Sequence, residues 1–383
     1  MDRTPDSAHA LRDAELAGRV SRLQELMVEH GFSALVCYGA HRDCVPADLW
    51  YLARWSCIDE EMSYVVVPRS GPTVLVTDAE WDLERAKDEA YAGEVRFDPA
   101  PGALLADVVR SVTGWSDGRI GISGLAYFPA PVYLAFREAL GTDDITDATR
   151  LTSLQRTIKS EGELELLREA ARISDIGMAA GLRAAREHAT ELQVATSAEN
   201  AIRDEGAEVS FTTVAGSGPR TALTTFLPSE REIARGDLVV LDCGARVAGY
   251  HGDMCRAIVV GGPDREQLRL LEAARDAVAA ATQAARPGVK IRDVHTAART
   301  AVEEAGLGEH FWGYYMPHGI GAGQHEMPLG LQDGDLVMDE GMVVCVEPGI
   351  AVPGVGGVVL EQMIAVGSDG AETLNTLPLE LWG

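Results

Sequence analysis

Residues 239–261 read VVLDCGARVAGYHGDMCRAIVVG. Two β-rich runs flank the turn-prone Val247-Ala248-Gly249, so a single hairpin brings the carboxylates of Asp242 and Asp253 together. Three later motifs each carry one more side chain able to bind a metal. His318 lies in MPHGIGAGQHEMP (316–328), Glu347 in VVCVEPGI (343–350) and Glu361 in GGVVLEQMIAV (356–366). Four carboxylates and one imidazole hold too much negative charge for one divalent ion, but they nearly balance two. Taken singly, each acid reads as a solvated or turn-capping group, and it is their joint occurrence in order that points to a metal centre. The expected cofactor is therefore two divalent metal ions, manganese foremost, with cobalt, iron and zinc as alternatives. A carboxylate-rich set with one His differs from a structural zinc site, which prefers thiolate and imidazole. A two-metal site suits hydrolysis.

The D-x-G of Asp242 to Gly244, G-Y-x-x-D of Gly249 to Asp253, H-G-I-G of His318 to Gly321, H-E-x-P of His325 to Pro328, E-P-G-I of Glu347 to Ile350 and the late strand bearing Glu361 together resemble the pita-bread metallopeptidases. That family includes prolidase, aminopeptidase P and methionine aminopeptidase, with creatinase and ectoine hydrolase as relatives acting on non-peptide substrates. The resemblance spans roughly residues 154 to 370, and 15 to 150 more loosely. It implies an α/β (α+β) protein, with a creatinase/prolidase-like N-terminal domain at 1–153 and a pita-bread catalytic domain at 154–383.

The resemblance makes Asp242 a ligand of one metal and His318 and Glu347 ligands of the other, with Asp253 and Glu361 bridging the pair. His325 is expected to hydrogen-bond the substrate carbonyl, and Glu347 also to relay a proton to the leaving nitrogen. Departures from the family pattern bear on the substrate. Thr225 stands where prolidases carry a substrate-contacting His, Val359 where they carry an Arg, Gln362 where an Asp is usual and Cys255 where a Thr is usual. A hydroxyl does not act as an imidazole acid or base near neutral pH. Cys255 reads chiefly as a small packed residue. The expected activity is dinuclear hydrolysis of an amide C–N bond in a dipeptide or another small substrate. A creatinase- or ectoine-hydrolase-like reaction, or a lyase step on the same metals, is the alternative, and a non-catalytic binding module ranks below both.

Composition agrees with a two-domain enzyme. The chain has 383 residues, 46% of them hydrophobic, and a net charge of -26 without a long basic run, which argues against nucleic acid as a partner. The six cysteines form no CxxC pair and read as reduced thiols in a cytoplasmic protein. MDRTPDSAHALRDAEL has no apolar export core, and no run approaches a membrane span, so no membrane partner is expected.

In the N-terminal half, 17–30 has helical periodicity ending before Gly31, FSALVCYG reads as a buried strand, and MSYVVVP and PTVLVTD form a hairpin about Ser70-Gly71. The domain boundary is expected between Thr152 and Ile158. Ser160-x-x-Glu163 and Thr190-x-x-Gln193 read as helix-opening capping boxes, and 264–286 and 291–305 as Ala-rich amphipathic helices. Gly319, Gly321 and Gly323 make a G-x-G-x-G, but no βαβ start precedes it, which rules out a nucleotide loop. Trp50 and Tyr51 read as core and Asp59-Glu60-Glu61 as a solvated loop, whereas Arg54 and Trp55 are expected to reach substrate. The resemblance further implies a homodimer in which this lobe caps the neighbouring active site.

Overall fold

The computed structural model describes residues 13–39, 47–58, 61–114, 118–223 and 226–382. The chain divides into two compact units between Gln155 and Arg156. Among the described residues no helix is long and apolar enough to cross a membrane.

The first unit is built on a mixed sheet of six strands in the order Glu94–Phe97, Val74–Thr77, Ser63–Pro68, Phe32–Gly39, Arg119–Ser123, Ile145–Asp147. Every residue of Phe32–Gly39 is buried, as a central strand covered on both faces requires. It runs antiparallel to Ser63–Pro68 and parallel to Arg119–Ser123. The expected hairpin forms between Ser63–Pro68 and Val74–Thr77, turning through Gly71 at φ +91°. Helix Asp13–Glu29 begins before the expected start at residue 17 and stops at the expected Gly31.

Tyr51 is buried beneath the Arg19 guanidinium, which lies 4.2 Å from its ring centroid. Trp55, expected to reach substrate, is 1% exposed within this unit; its indole N–H donates to Ser63 Oγ at 3.0 Å, and Arg85 stacks 3.9 Å over the ring. Its apolar face and its polar edge are both packed. Arg54 closes helix Asp48–Ala53 in a left-handed conformation, φ 49°, and donates to Asp13 Oδ1 at 3.1 Å and Glu89 O at 3.4 Å. Asp59 and Glu60 lie outside the described residues.

In the second unit both expected capping boxes are present, Ser160 with Glu163 opening helix Glu161–Ala184 and Thr190 with Gln193 opening helix Glu191–Asp204. The helices Arg265–Ala284 and Ile291–Glu304 form a second pair. Alanines and glycines on these helices let them lie close to the strands. A Cβ at Gly181 would meet Leu241 Cδ2 at 2.4 Å and the Ala198 Cβ at 3.1 Å. Beneath the helices are two principal antiparallel sheets. One orders Cys255–Val259, Leu238–Asp242, Val214–Ser217; the other orders Glu326–Leu329, His318–Gly319, Val343–Val346, Gln362–Gly367, Gly370–Thr373. One apolar core joins the second helix pair to both sheets, through Ala273, Ala277 and Val278 against Val240, Val344 and Ile364. Helix pairs on antiparallel strands are the arrangement implied by the pita-bread resemblance.

Candidate metal centre

The hairpin at 239–261 is broken in the middle. Leu238–Asp242 pairs with Cys255–Val259, Asp242 opposite Cys255, while Ala245–Val247 and Tyr250–His251 form a separate tip. Ala248 and Gly249 both have positive φ, 46° and 83°, as a two-residue turn matched to strand twist requires. At the break Gly244 lies against Gly252, where a Cβ would come 1.8 Å from the Gly252 carbonyl oxygen. Only glycine allows that approach, and it leaves Asp242 and Asp253 on either side of the kink.

The other three residues come from the second principal sheet. His318 lies opposite Leu329 on one neighbouring strand and Cys345 on the other. Glu347 follows Val343–Val346, and Glu361 precedes Gln362–Gly367, two strands paired through Val346 and Gln362. Glu361 N donates to Cys255 O at 3.0 Å, which ties the two sheets together where their acids converge.

His318 Nδ1 bonds the Gly319 carbonyl at 3.0 Å. A carbonyl only accepts, so Nδ1 carries a proton and donates, which leaves Nε2 as the nitrogen facing the acids. That nitrogen is 3.6 Å from Glu347 Oε1 and 3.6 Å from Glu361 Oε1. Among the described residues, His318 Nε2, Glu361 Oε1 and Asp242 Oδ1 are buried without a hydrogen-bond donor. Acceptor atoms buried together without a partner fit a cation. Burial pushes the Asp242 carboxyl up to about 7. Asp253 and Glu361 are raised well above the usual range, by burial first and then by each other's acidic neighbours, Glu361 on Asp253 and Glu347 on Glu361. Glu347 is raised by burial, with His318 opposing the shift. Without cations the cluster therefore holds protons that an exposed carboxylate gives up at neutral pH.

Asp253, His318, Cys345 and Glu361 place ligand atoms within 4.8 Å of one another, as do His318, His325 and Glu347. Cys345 was not anticipated, although period-two alternation puts it on the same strand face as Glu347. Burial and then Glu361 hold its thiol well above the usual range. Arg256 was also missed. It is fully buried and donates to Cys255 O at 2.9 Å and to Glu361 O, clamping the junction of the sheets. A charge inside the apolar run CRAIVV was the available signal.

The His325 ring centroid lies 4.4 Å from that of His318, and Gln324 Nε2 is 3.4 Å from Asp253 Oδ2. Half-buried Val359 pairs with Gly349, which in turn pairs with Trp312. The Trp312 indole lies over Gly349, where a Cβ would meet it at 2.1 Å. Gln362 turns away from the acids toward Thr282 Oγ1 at 3.0 Å. Cys255 is buried in the apolar core. Thr225 lies outside the described residues, and Arg54 and Trp55 belong to the first unit.

The profile of metallopeptidase family M24 matches residues 165–368, and that of the creatinase/prolidase N-terminal domain matches residues 19–158. The chain is 30% identical to the Xaa-Pro dipeptidase of Pyrococcus furiosus over 337 residues, covering 88% of this chain and 93% of that one. It is 34% identical to the probable dipeptidase PepE of Mycobacterium tuberculosis over 325 residues, 84% of this chain and 85% of that one. The prolidase from Pyrococcus horikoshii OT3 superposes with a TM-score of 0.84 at 28% identity, covering 95% of this chain and 99% of that one. Dipeptidase PepE from Mycobacterium ulcerans superposes with a TM-score of 0.84 at 30% identity, covering 97% and 98%. With its pita-bread catalytic fold, its acidic cluster and these matches, the chain belongs to metallopeptidase family M24, the metal-dependent hydrolases.

Proposed function

We propose that this protein is a dinuclear metallohydrolase that cleaves the amide bond of a dipeptide or similarly small substrate, with manganese as its native metal. The observation that carries the reading is the convergence of His318 Nε2 with the Asp253, Glu347 and Glu361 carboxylates, Asp242 beside them, with Asp242 Oδ1, His318 Nε2 and Glu361 Oε1 lacking any hydrogen-bond partner among the described residues. Asp242 would hold one ion, His318 and Glu347 the other, and Asp253 and Glu361 both. Bound metals supply an acidified water and a polarised carbonyl at neutral pH. Glu347, the ligand with the more open side chain at 22% exposure against 2% for Glu361, takes the proton of the attacking water and passes it to the leaving nitrogen. His325 donates to the carbonyl oxygen as negative charge grows there.

The relatives named Xaa-Pro dipeptidase favour a substrate with an imino-acid leaving group. A non-peptide amide is the second reading, favoured by Val359, which sets an apolar side chain beside the Trp312 row rather than a cation. The division at 1–153 and 154–383, a cytoplasmic location and a homodimer complete the proposal. Elemental analysis of purified protein, followed by assay against Xaa-Pro dipeptides, creatine and ectoine-like amides with and without chelator, tests it. Protein holding no stoichiometric metal, or turnover indifferent to chelator, would end it.

A further inference from the structure

Among the charged side chains buried in the second unit outside the five acidic-cluster residues, Arg156, Lys159 and Glu326 form one group. Arg156 Nε donates to Glu326 Oε1 at 3.2 Å, and Lys159 Nζ stands 3.6 Å from Glu326 Oε2. Two cations around one carboxylate are an expensive way to fill an interior, since apolar side chains of similar volume commonly give equal or greater stability. A fixed geometry is what such a group provides.

The segment held there is rich in glycine, so its own side chains do little to fix it. Residues 319–324 read GIGAGQ, half of them glycine. Gly323 N donates to Glu326 Oε1 at 2.7 Å. A Cβ at Gly321 would come 2.9 Å from Glu326 Oε2 and 3.2 Å from Lys159 Cε, so the loop lies directly on the charged group. From the other side His251 N donates to Gly321 O at 2.9 Å, and Gly319 pairs with Glu326. The two side chains displayed by this loop are Gln324, turned to Asp253, and His325, turned to His318.

We propose that Glu326, clasped by Arg156 and Lys159, is a positioning residue that fixes the 321–325 loop so that His325 meets the substrate carbonyl. The carboxylate spans the loop's amide and both cations, so its loss frees the loop while leaving all five metal-binding side chains unchanged. The inference rests on the role given above to His325. Misplacement of a substrate-orienting group by about 1 Å costs on the order of a hundredfold in rate.

The test is a double-mutant cycle on the metal-loaded full chain: Glu326→Gln and Lys159→Met, each in the native and the His325→Ala backgrounds, with kcat, KM, metal content and melting temperature measured. Glu326→Gln is expected to lower kcat about 10- to 100-fold with bound metal retained, and Lys159→Met to lower it by less. In the His325→Ala background the same changes are expected to cost under about threefold, because their effect passes through His325. Equal losses in both backgrounds, or unchanged kcat in the native background, would overturn the proposal. If Glu326→Gln fails to fold, Lys159→Met decides alone, since it leaves the Arg156–Glu326 pair intact. The rate of diethyl pyrocarbonate modification at His325, read by mass spectrometry, needs no substrate and separates failure of this inference from failure of the functional reading. A change of at least about threefold in either clasp variant is expected, and an unchanged rate in both contradicts the proposal.

Discussion

Asp242 and Cys255 face each other across the antiparallel strands Leu238–Asp242 and Cys255–Val259. The thiol is 1% exposed and shares the apolar core with Val240 and Leu360. Burial, and then Asp242, raise it well above the usual thiol range, and it packs among apolar side chains rather than among the converging ligand atoms.

Cys255→Ala is therefore expected to keep both metals and to turn over within about twofold of the native rate, at a stability cost of about 1 kcal/mol for the small void. Elemental analysis and a melting curve check both halves. Loss of one metal equivalent would make Cys255 a ligand instead.

Asp253 and Glu361 are assigned to both ions, so removing either charge weakens both sites. Asp253→Asn and Glu361→Gln are each expected to lower turnover by at least about 10^3 with reduced metal content. Near-native rate with two metals bound in either variant would show the assignment to be wrong.

The raised carboxyls set the pH dependence of the metal-free protein. Asp242 keeps its proton to about 7 when folded, whereas an unfolded Asp releases it near 3.9. The folded state binds more protons across that window, so its stability falls as pH rises from about 4 to about 7. Metals replace those protons and remove the penalty. The melting-temperature gain on adding manganese to chelator-treated protein is expected to be larger at pH 8 than at pH 5. A gain independent of pH would place the metals elsewhere.

These acids were legible because their motifs are short and each element carrying them has a local signature, such as the turn at Ala248-Gly249. The capping boxes at Ser160 and Thr190 were legible for the same reason. What was not legible depends on packing between distant segments. Trp55 reads as a substrate contact in the sequence, and its enclosure by Ser63 and Arg85 is visible only once the chain is folded. Glu326 reads as one letter of H-E-x-P until Arg156, 170 residues away in sequence, reaches it. Cys345 enters the cluster through strand register alone, opposite His318.

A homodimer whose N-terminal lobe completes the neighbouring site makes Arg54 a testable contact. Arg54→Ala is expected to change KM or kcat with metals and fold retained, although it also removes the bond to Asp13. A mixture with Glu361→Gln chains is then expected to regain up to about a quarter of native sites, since one site in each mixed dimer carries neither change. A fully active monomer at assay concentration, or no regain after proven subunit exchange, would rule out the shared site.

Val359 is expected to govern how the protein treats a free carboxylate on its substrate. It sits in one cross-strand row with Gly349 and Trp312, an apolar row where the family resemblance expects a guanidinium. Simple Xaa-Pro dipeptides are therefore expected to be turned over weakly compared with the true substrate. Val359→Arg sets a cation within reach of the Trp312 indole, whose face helps offset partial burial of the charge. The variant is expected to gain about fivefold in kcat/KM on Xaa-Pro dipeptides and little on their C-terminal amides, with Thr225→His added to restore the second departure. Stability is expected to fall, because the new guanidinium has no acidic partner supplied with it. The decisive measurement is on the unmodified protein. Hydrolysis of an Xaa-Pro dipeptide at ~10^4 M⁻¹s⁻¹ or above would show that an apolar row accepts the carboxylate and that Val359 sets no barrier.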